Sequence, residues 1–120
     1  PLPVSAILPT RNRPDFLARC LSSLAQQQPP LIEIVICDSS DDDQSRQVAE
    51  RARCRFSTTT LLYLRAARIG LAPQRNQAIA ASTQPYVWFL DDDVILEPVC
   101  LQHLHSALAQ NPTVGGVTAT

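Results

Sequence analysis

The chain has 120 residues, of which 45% are hydrophobic and 18% charged, and its formal net charge at pH 7 is −1. This length fits one domain that buries a core of its own. The near-neutral charge argues against a broad surface for nucleic acid or anionic membranes. The chain shows no signal peptide and no apolar run long enough to span a bilayer, so we expect a cytoplasmic location.

Four cysteines occur, and no two of them have the spacing of a metal-binding pair. Structural zinc sites usually contain CxxC pairs, so a zinc centre is not expected. The apolar surroundings of Cys20 and Cys37 are typical of cysteines that pack as small hydrophobic side chains. We therefore expect free thiols and a reducing compartment. The four are Cys20, Cys37, Cys54 and Cys100.

Short apolar runs alternate with segments of helical periodicity along the whole chain. Prolines mark several boundaries, because proline lacks the donor that a continuing strand or helix needs. Alternation of this kind favours a three-layer α/β/α fold with a mostly parallel sheet. We expect strands at 4–8, 31–37, 61–65 and 86–90, a fifth strand beginning over 114–118, and helices at 14–27, 44–53, 73–82 and 97–110.

Two of the predicted helices carry apolar stripes that indicate which side faces the sheet. We expect the side chains of these stripes to be buried. They are Phe16, Leu17, Cys20, Leu21 and Leu24 in the first helix, and Val99, Cys100, Leu104 and Leu108 in the last.

Three consecutive carboxylates, Asp91, Asp92 and Asp93, follow the apolar run at 86–90. Adjacent acids repel one another, so the local structure gains nothing from them. Their oxygens suit a hard cation, and in open α/β sheets ligands bind just beyond the carboxyl ends of strands. A solvated acidic turn that caps the next helix is the alternative.

In a parallel sheet, the loops that lead from strands into helices meet along one edge. These loops here span 9–14, 38–43, 66–72 and 91–96, and they hold most of the polar residues outside helices. The sequence therefore predicts one polar cleft rather than scattered charge.

Arginines in the predicted cleft indicate a phosphorylated ligand, because the guanidinium fork matches phosphate oxygens. Arg11 and Arg13 lie in the first loop, and Arg75 lies in the first turn of the third helix. The alternative for Arg11 and Arg13 is that they are solvated or paired with acids, and for Arg75 that it pairs with an acid. The chain contains neither GxxxxGK[ST] nor GxGxxG, so a P-loop or a dinucleotide fingerprint is excluded.

Four segments, in order, are similar to one known family. Its opening strand and loop resemble Val4-Ser-Ala-Ile-Leu-Pro-Thr-Arg-Asn-Arg-Pro14, and its second strand and Asp-Ser loop resemble Ile34-Val-Ile-Cys-Asp-Ser-Ser-Asp-Asp-Asp43. Its Gly…Ala-Arg-Asn helix resembles Gly70-Leu-Ala-Pro-Gln-Arg-Asn-Gln-Ala-Ile-Ala80, and its DxD motif resembles Phe89-Leu-Asp-Asp-Asp93. The family is that of the nucleotide-diphospho-sugar glycosyltransferases of family 2, whose GT-A fold contains a Rossmann-like nucleotide-binding half.

The resemblance implies a pocket for a uridine-type nucleoside. Thr10 would line this pocket together with its neighbours Arg11, Asn12 and Arg13. Asp38 would form a hydrogen bond with the base.

The resemblance also implies a diphosphate and metal site. Arg75 would lie near the diphosphate, and Asp91 near the ribose or the sugar. Asp93 would bind Mn²⁺ or Mg²⁺. Asp92, the middle residue of the acidic triplet, would belong to the donor site, but the resemblance gives it no definite role.

The resemblance implies that the chain binds a nucleotide-diphospho-sugar, with a UDP-sugar as the expected donor. The sugar would be transferred to a hydroxyl of a carbohydrate or of another acceptor. Family members continue into a second half that binds the acceptor and supplies a carboxylate base, and no candidate for that base occurs here. We therefore expect residues 1–120 to be the N-terminal donor-binding part of a longer enzyme, inactive in isolation. A non-catalytic nucleotide-sugar binding module is the alternative.

Two positions depart from the family pattern. Asp41 stands where a small hydroxyl residue is common, and Gln74 precedes Arg75 where a small residue is usual. We expect Asn76 to cap or brace the neighbouring loop. We also expect marginal stability or self-association, because a last strand ending at Val117-Thr-Ala-Thr120 would have an unpaired edge.

A receiver-like signalling domain also places acids at the ends of parallel strands. Such a domain needs a lysine late in the chain, and all ten basic residues here are arginine. The absence of lysine therefore argues against this class of protein.

Overall fold

The computed structural model describes residues 1–118. The strands are β1 (Leu2–Thr10), β2 (Leu31–Asp38), β3 (Thr60–Arg65) and β4 (Tyr86–Phe89), and the helices are α1 (Pro14–Ala25), α2 (Gln44–Ala52), α3 (Leu71–Ala81) and α4 (Cys100–Gln110). A 3₁₀ turn, Arg53–Arg55, follows α2. The predicted alternation is confirmed, and each boundary lies within three residues of its prediction. Across residues 1–118, every helix falls short of the length and hydropathy that a membrane span requires.

The fifth strand predicted over 114–118 does not form in those residues, which continue as a turn and irregular chain after α4. A β-carbon placed on Gly115 or Gly116 would have no neighbour within 4 Å. A glycine pair without packing partners weakens a strand, so the apolar residues around it do not suffice. The prediction was therefore wrong for 114–118, and residues 119–120 lie outside the described part of the chain.

All four strands run parallel, in the order β3-β2-β1-β4. The chain moves outward from β1 to β2 and β3, and then returns to place β4 on the other side of β1. The strand order thus reverses between β1 and β4, and open sheets bind ligands beyond the strand ends at such a point. Thr10 pairs with Asp38 in the register of β1 and β2, so the polar ends of these strands are adjacent.

β1 is buried on both of its faces. Val4, Ala6 and Leu8 belong to a cluster that includes the buried side of α1. Ile7 packs with Ala78 of α3 on the opposite face. Burial of an aliphatic side chain such as Leu or Ile contributes about 1.5–3 kcal/mol. Helices therefore cover both faces of the sheet, and the predicted three-layer α/β/α fold is confirmed.

The apolar stripe of α1 is buried except at its first member. Leu17, Cys20, Leu21 and Leu24 are buried, whereas Phe16 is 43% exposed. The Phe16 ring lies beneath the guanidinium groups of Arg13 and Arg19, whose Cζ atoms are 5.4 and 4.9 Å from its centroid. The expectation that Phe16 is buried was therefore wrong, because two arginines and not the core cover its ring.

α4 packs through a residue that the predicted stripe omits. Leu101 is buried, whereas Val99 is exposed, and Cys100, Leu104 and Leu108 are half-buried.

The carboxamide of Gln27 anchors the start of α4. Its Nε2 donates to the Glu97 carbonyl at 2.8 Å, and its Oε1 accepts from the Leu101 N–H at 3.1 Å. This contact between the segment after α1 and the start of α4 brings Leu101 into the core beside the half-buried part of the predicted stripe, and the expectation was wrong only for Val99.

Two buried thiols make the stability of the fold dependent on pH. Burial raises the pKa of Cys20 to about 12, with Asp92 and Asp93 adding to the shift, and burial followed by Asp38 raises that of Cys37 to about 11. In the unfolded chain both thiols ionise near the ordinary value of 9.0. The folded state therefore binds more protons than the unfolded state above this pH, so stability falls as the pH rises.

We expect the urea midpoint of the wild type to drop between about pH 8 and pH 10, and to drop less steeply in a Cys20→Ala/Cys37→Ala double variant. Cys54→Ala changes an exposed cysteine and is the control, which should keep the wild-type dependence on pH. An identical slope in the wild type and the double variant would show that these thiols do not cause it.

Candidate ligand-binding cleft

The carboxyl ends of β1 and β4 and the first turn of α3 enclose a cleft of about 340 Å³. Six of the nine predicted site residues line it, whereas Asn12, Asp38 and Arg75 lie outside the lining. The six are Thr10, Arg11, Arg13, Asp91, Asp92 and Asp93, and the lining is completed by Pro9, Ile69, Gly70, Leu71 and Gln74. The first loop and the acidic triplet, 80 residues apart in the chain, therefore share one site.

Asp92 fastens the two sides of the cleft together. Its Oδ2 accepts a hydrogen bond from the Thr10 hydroxyl at 2.8 Å, and its Oδ1 accepts one from Arg13 Nη1 at 3.1 Å. The Asp92 side chain is only 9% exposed, and both of its oxygens are engaged. A buried carboxylate with charged and neutral donors is stabilised where it lies. Asp92 therefore holds the cleft together in this structure.

Asp91 and Asp93 are the accessible carboxylates, with side chains 65% and 50% exposed. Arg13 Nη1 lies 3.7 Å from Asp93 as well as close to Asp92, so one guanidinium offsets the repulsion within the triplet. Within residues 1–118, no three His, Cys, Asp or Glu side chains converge closely enough to hold a metal ion.

These carboxylates therefore fit a metal only as part of a ligand set. Carboxylate oxygens suit Mn²⁺ and Mg²⁺, and Mg²⁺ commonly takes one or two carboxylates together with substrate phosphates. The acids of the cleft match that pattern, in which a phosphorylated ligand supplies the remaining oxygens.

Arg75 pairs with an acid beside the cleft. Its Nη2 lies 3.6 Å from Asp91 Oδ1, and its Cζ lies 5.3 Å from the centroid of the Phe89 ring. Its Nε is buried and has no hydrogen-bond partner among the described residues. The alternative that Arg75 pairs with an acid thus describes this structure, and the guanidinium keeps unused donor capacity.

Asp41, one of the two departures from the family pattern, holds the first loop. It lies 3.5 Å from Arg11 Nη2, it accepts from Asn12 Nδ2 at 3.1 Å, and its N–H donates to Asn12 Oδ1 at 2.9 Å. Asn12 has a φ of 54°, a left-handed conformation that asparagine tolerates better than most residues. In this structure Arg11 and Asn12 therefore contact the second loop.

Asp38 is entirely buried and its carboxylate is fully engaged. Oδ1 accepts from the N–H and the hydroxyl of Ser40 at 2.9 and 2.5 Å. Oδ2 accepts from the Tyr63 hydroxyl at 2.5 Å and lies 3.5 Å from Arg65 Nη1. Burial, together with the bond to Asp38, raises the pKa of Tyr63 to about 12, so this hydroxyl remains a donor at neutral pH.

Sequence analysis missed Tyr63 and Arg65, although a signal was present. They are two residues apart on a strand, so their side chains point to the same face. The register then places Arg65 opposite Asp38.

α3 also contributes residues that sequence analysis did not assign. Gln74 lines the cleft and is buried. The brace expected from Asn76 is provided by Gln77, whose Nε2 donates to the Arg65 carbonyl at 2.9 Å and whose Oε1 accepts from the Ala67 N–H at 2.8 Å.

Comparison with solved structures identifies the fold. The mannosyltransferase PcManGT from Pyrobaculum calidifontis, in complex with GDP-Man and Mn²⁺, has a TM-score of 0.82 and 28% identity, covering 96% of this chain and 36% of that one. S. aureus TarS 1–349 in complex with UDP has a TM-score of 0.80 and 23% identity, covering 98% of this chain and 38% of that one. The expected GT-A fold is therefore confirmed.

Sequence comparison identifies the family. The chain is 31% identical over 108 residues to the "Uncharacterized glycosyltransferase EpsJ" of Bacillus subtilis, covering 90% of this chain and 31% of that protein. It spans about a third or less of the length of the curated relatives it matches. The family model "Glycosyl transferase family 2" matches residues 5–120. Since that match covers nearly the whole chain, the chain belongs to glycosyl transferase family 2.

Proposed function

We propose that this chain binds the nucleotide-diphospho-sugar donor of a glycosyltransferase, together with a divalent metal. The observation that carries the proposal is the cleft, where Arg13, the accessible carboxylates and the start of α3 meet at the reversal of strand order. Arginine and a helix N-terminus suit phosphate oxygens, and carboxylates suit the accompanying cation. PcManGT, described with GDP-Man and Mn²⁺, supports both the donor class and the metal.

Asp93 is the proposed metal ligand, because its carboxylate is accessible at the rim of the cleft. Mn²⁺ or Mg²⁺ held there would supply positive charge that stabilises the departing diphosphate. Asp91 would contact the ribose or the sugar, and Arg75 would turn its unused donor capacity towards the diphosphate. Asp92 would keep its partners Thr10 and Arg13 and hold this arrangement in place.

Thr10, Arg11 and Asn12 would form the nucleoside side of the site. For Asp38 we propose recognition of a uracil base, whose imide N–H is a donor that a carboxylate accepts. Oδ2 of Asp38 now accepts the Tyr63 hydroxyl, so contact with the base requires that this hydroxyl moves aside.

Transfer of the sugar to an acceptor hydroxyl is proposed for the whole protein. The transfer needs a base that deprotonates the acceptor. Among the described residues, the carboxylates that line the cleft are Asp91, Asp92 and Asp93 alone, and each has a role on the donor side. Residues 1–120 would thus bind and orient the donor as an N-terminal donor-binding part.

The metal ligand is tested by calorimetry with UDP. We expect Mn²⁺ to tighten UDP binding by about tenfold or more, because phosphate oxygens and Asp93 share the ion. Asp93→Asn should remove this gain, whereas Asp42→Asn, at an exposed acid of the second loop, should retain it. Equal UDP affinity with and without metal in the wild type would refute the metal assignment.

The fastening role of Asp92 is tested by stability. Asp92→Asn should lower the free energy of unfolding by about 1–3 kcal/mol, because Thr10 and Arg13 lose a buried charged partner. Asp93→Asn, which makes the same chemical change at a half-exposed side chain, should cost about 0.5 kcal/mol or less. Urea unfolding of both variants gives the comparison, and equal losses would contradict the division of roles.

The proposed base contact is tested by comparing UDP with CDP. We expect UDP to bind more tightly, because the ring nitrogen of cytosine at the matching position is an acceptor rather than a donor. Asp38→Ala should weaken UDP binding and remove the preference. Tyr63→Phe should preserve it, since it leaves Oδ2 of Asp38 free for the base. Indistinguishable affinities for UDP and CDP would refute the proposed contact between Asp38 and the base. Tighter binding of GDP would indicate a guanosine donor.

A further inference from the structure

The side chain of Gln74 makes four hydrogen bonds at the wall of the cleft, and the residue is buried. Nε2 donates to the carbonyls of Thr10 and Cys37 at 3.2 and 2.9 Å. Oε1 accepts from the Ser39 hydroxyl at 2.9 Å and from the Gly70 N–H at 3.0 Å. All four hydrogen-bonding positions of one carboxamide are therefore used.

These partners lie on three separate segments of the chain. Thr10 ends β1, Cys37 and Ser39 lie at the end of β2, and Gly70 precedes α3. The Gln74 N–H also donates to the Gly70 carbonyl at 3.0 Å, so the two residues exchange hydrogen bonds in both directions. Gly70 has a φ of 141°, which other residues rarely adopt, so this loop needs both its glycine and its partner.

We propose that Gln74 is a positioning residue for the donor, an inference that rests on the function proposed above. Its carboxamide joins the loop of Gly70 to the paired ends of β1 and β2. Thr10 and Gly70, which both line the cleft, are thereby held in place before the ligand arrives. Binding sites work best when neighbouring hydrogen bonds lock the groups that contact the ligand.

The choice of glutamine follows from its chemistry. A small residue would not reach the two strand ends. A glutamate would have the right length but would turn a carboxylate oxygen towards two carbonyl oxygens, which are acceptors too. Gln74→Glu therefore breaks the contacts to Thr10 and Cys37 with almost no change in size.

Gln27 provides a matched control. It is also buried, at 3% exposure against 4% for Gln74. Its Nε2 likewise donates to two carbonyls, those of Ser23 and Glu97, and its Oε1 accepts from the Leu101 N–H. These contacts join α1 to α4, and Gln27 does not line the cleft. Gln27→Glu thus makes the same buried change away from the donor site.

The test compares Gln74→Glu and Gln27→Glu in the 120-residue chain, with UDP and Mn²⁺ and with uridine alone as probes. Both variants should lower the urea midpoint. Only Gln74→Glu should weaken binding, by about tenfold or more for both probes, because the nucleoside side of the cleft is no longer held. Uridine carries no phosphate, so its loss of affinity separates misplacement from repulsion between the new carboxylate and the diphosphate.

Wild-type affinity in Gln74→Glu, an equal loss in Gln27→Glu, or a loss for UDP alone would overturn the positioning role. If Gln74→Glu does not fold, Gln74→Met, which is similar in size and lacks the donors, takes its place under the same criteria.

Amide exchange separates failure of this inference from failure of the proposed function. If the wild type binds neither UDP nor uridine, the proposed function fails. Exchange at the Gly70 and Ser39 amides then tests only whether Gln74 holds these segments in place. Both amides are hydrogen-bonded in the structure, Gly70 to Gln74 itself and Ser39 to the Thr10 carbonyl. We expect exchange about tenfold faster or more in Gln74→Met, which removes the acceptor as well as the donors, and unchanged exchange in Gln27→Met. Unchanged exchange in Gln74→Met would refute the positioning role.

Discussion

The central position of β1 is the constraint on which the rest of the structure depends. β1 pairs with β2 on one edge and with β4 on the other, and helices cover both of its faces. A strand in this position has no exposed side on which polar side chains reach water. Its one buried hydroxyl besides Thr10 belongs to Ser5, which donates to Glu33 at 2.7 Å. Chemistry is therefore confined to the end of β1, where Thr10 meets the ends of its neighbours.

The acidic triplet is tolerated because two arginines and the Thr10 hydroxyl offset its charge. Asp92 turns inward to Thr10 and Arg13, Asp91 pairs with Arg75, and Asp93 remains near Arg13 at the surface. Exposed ion pairs contribute little to stability, since water and salt screen them. A phosphate bound as proposed would therefore replace Asp93 beside Arg13 and Asp91 beside Arg75 at little cost to the fold, while Arg13 keeps its bond to Asp92. The buried contact of Asp92 with Thr10 does not depend on that exchange.

Sequence patterns predicted the layers and the edge of the sheet that carries the cleft, because hydrophobic periodicity is local. They failed where a distant contact decides the local outcome. α4 faces the core through Leu101, and the anchor that orients it is Gln27, which lies 74 residues earlier. The partners of Asp38 lie on β3, 25 and 27 residues away, and only the register between β2 and β3 reveals them. Gln74 looked like a departure from a family pattern, because three of its four partners are backbone groups, which no motif records.

The polar contacts at the edge of the sheet hold the loops of the site, whereas the apolar core holds the strands. The apolar clusters around β1 hold the strands together independently of the loop conformations. The loops themselves are held by single side chains, by Asp38 for the second loop, by Gln74 for the approach to α3, and by Asp92 across the cleft. A buried polar group that loses its partner is destabilised locally, and the effect reaches only the segments it joins. Substitutions at this edge should therefore alter the shape of the cleft at stability costs that the core withstands.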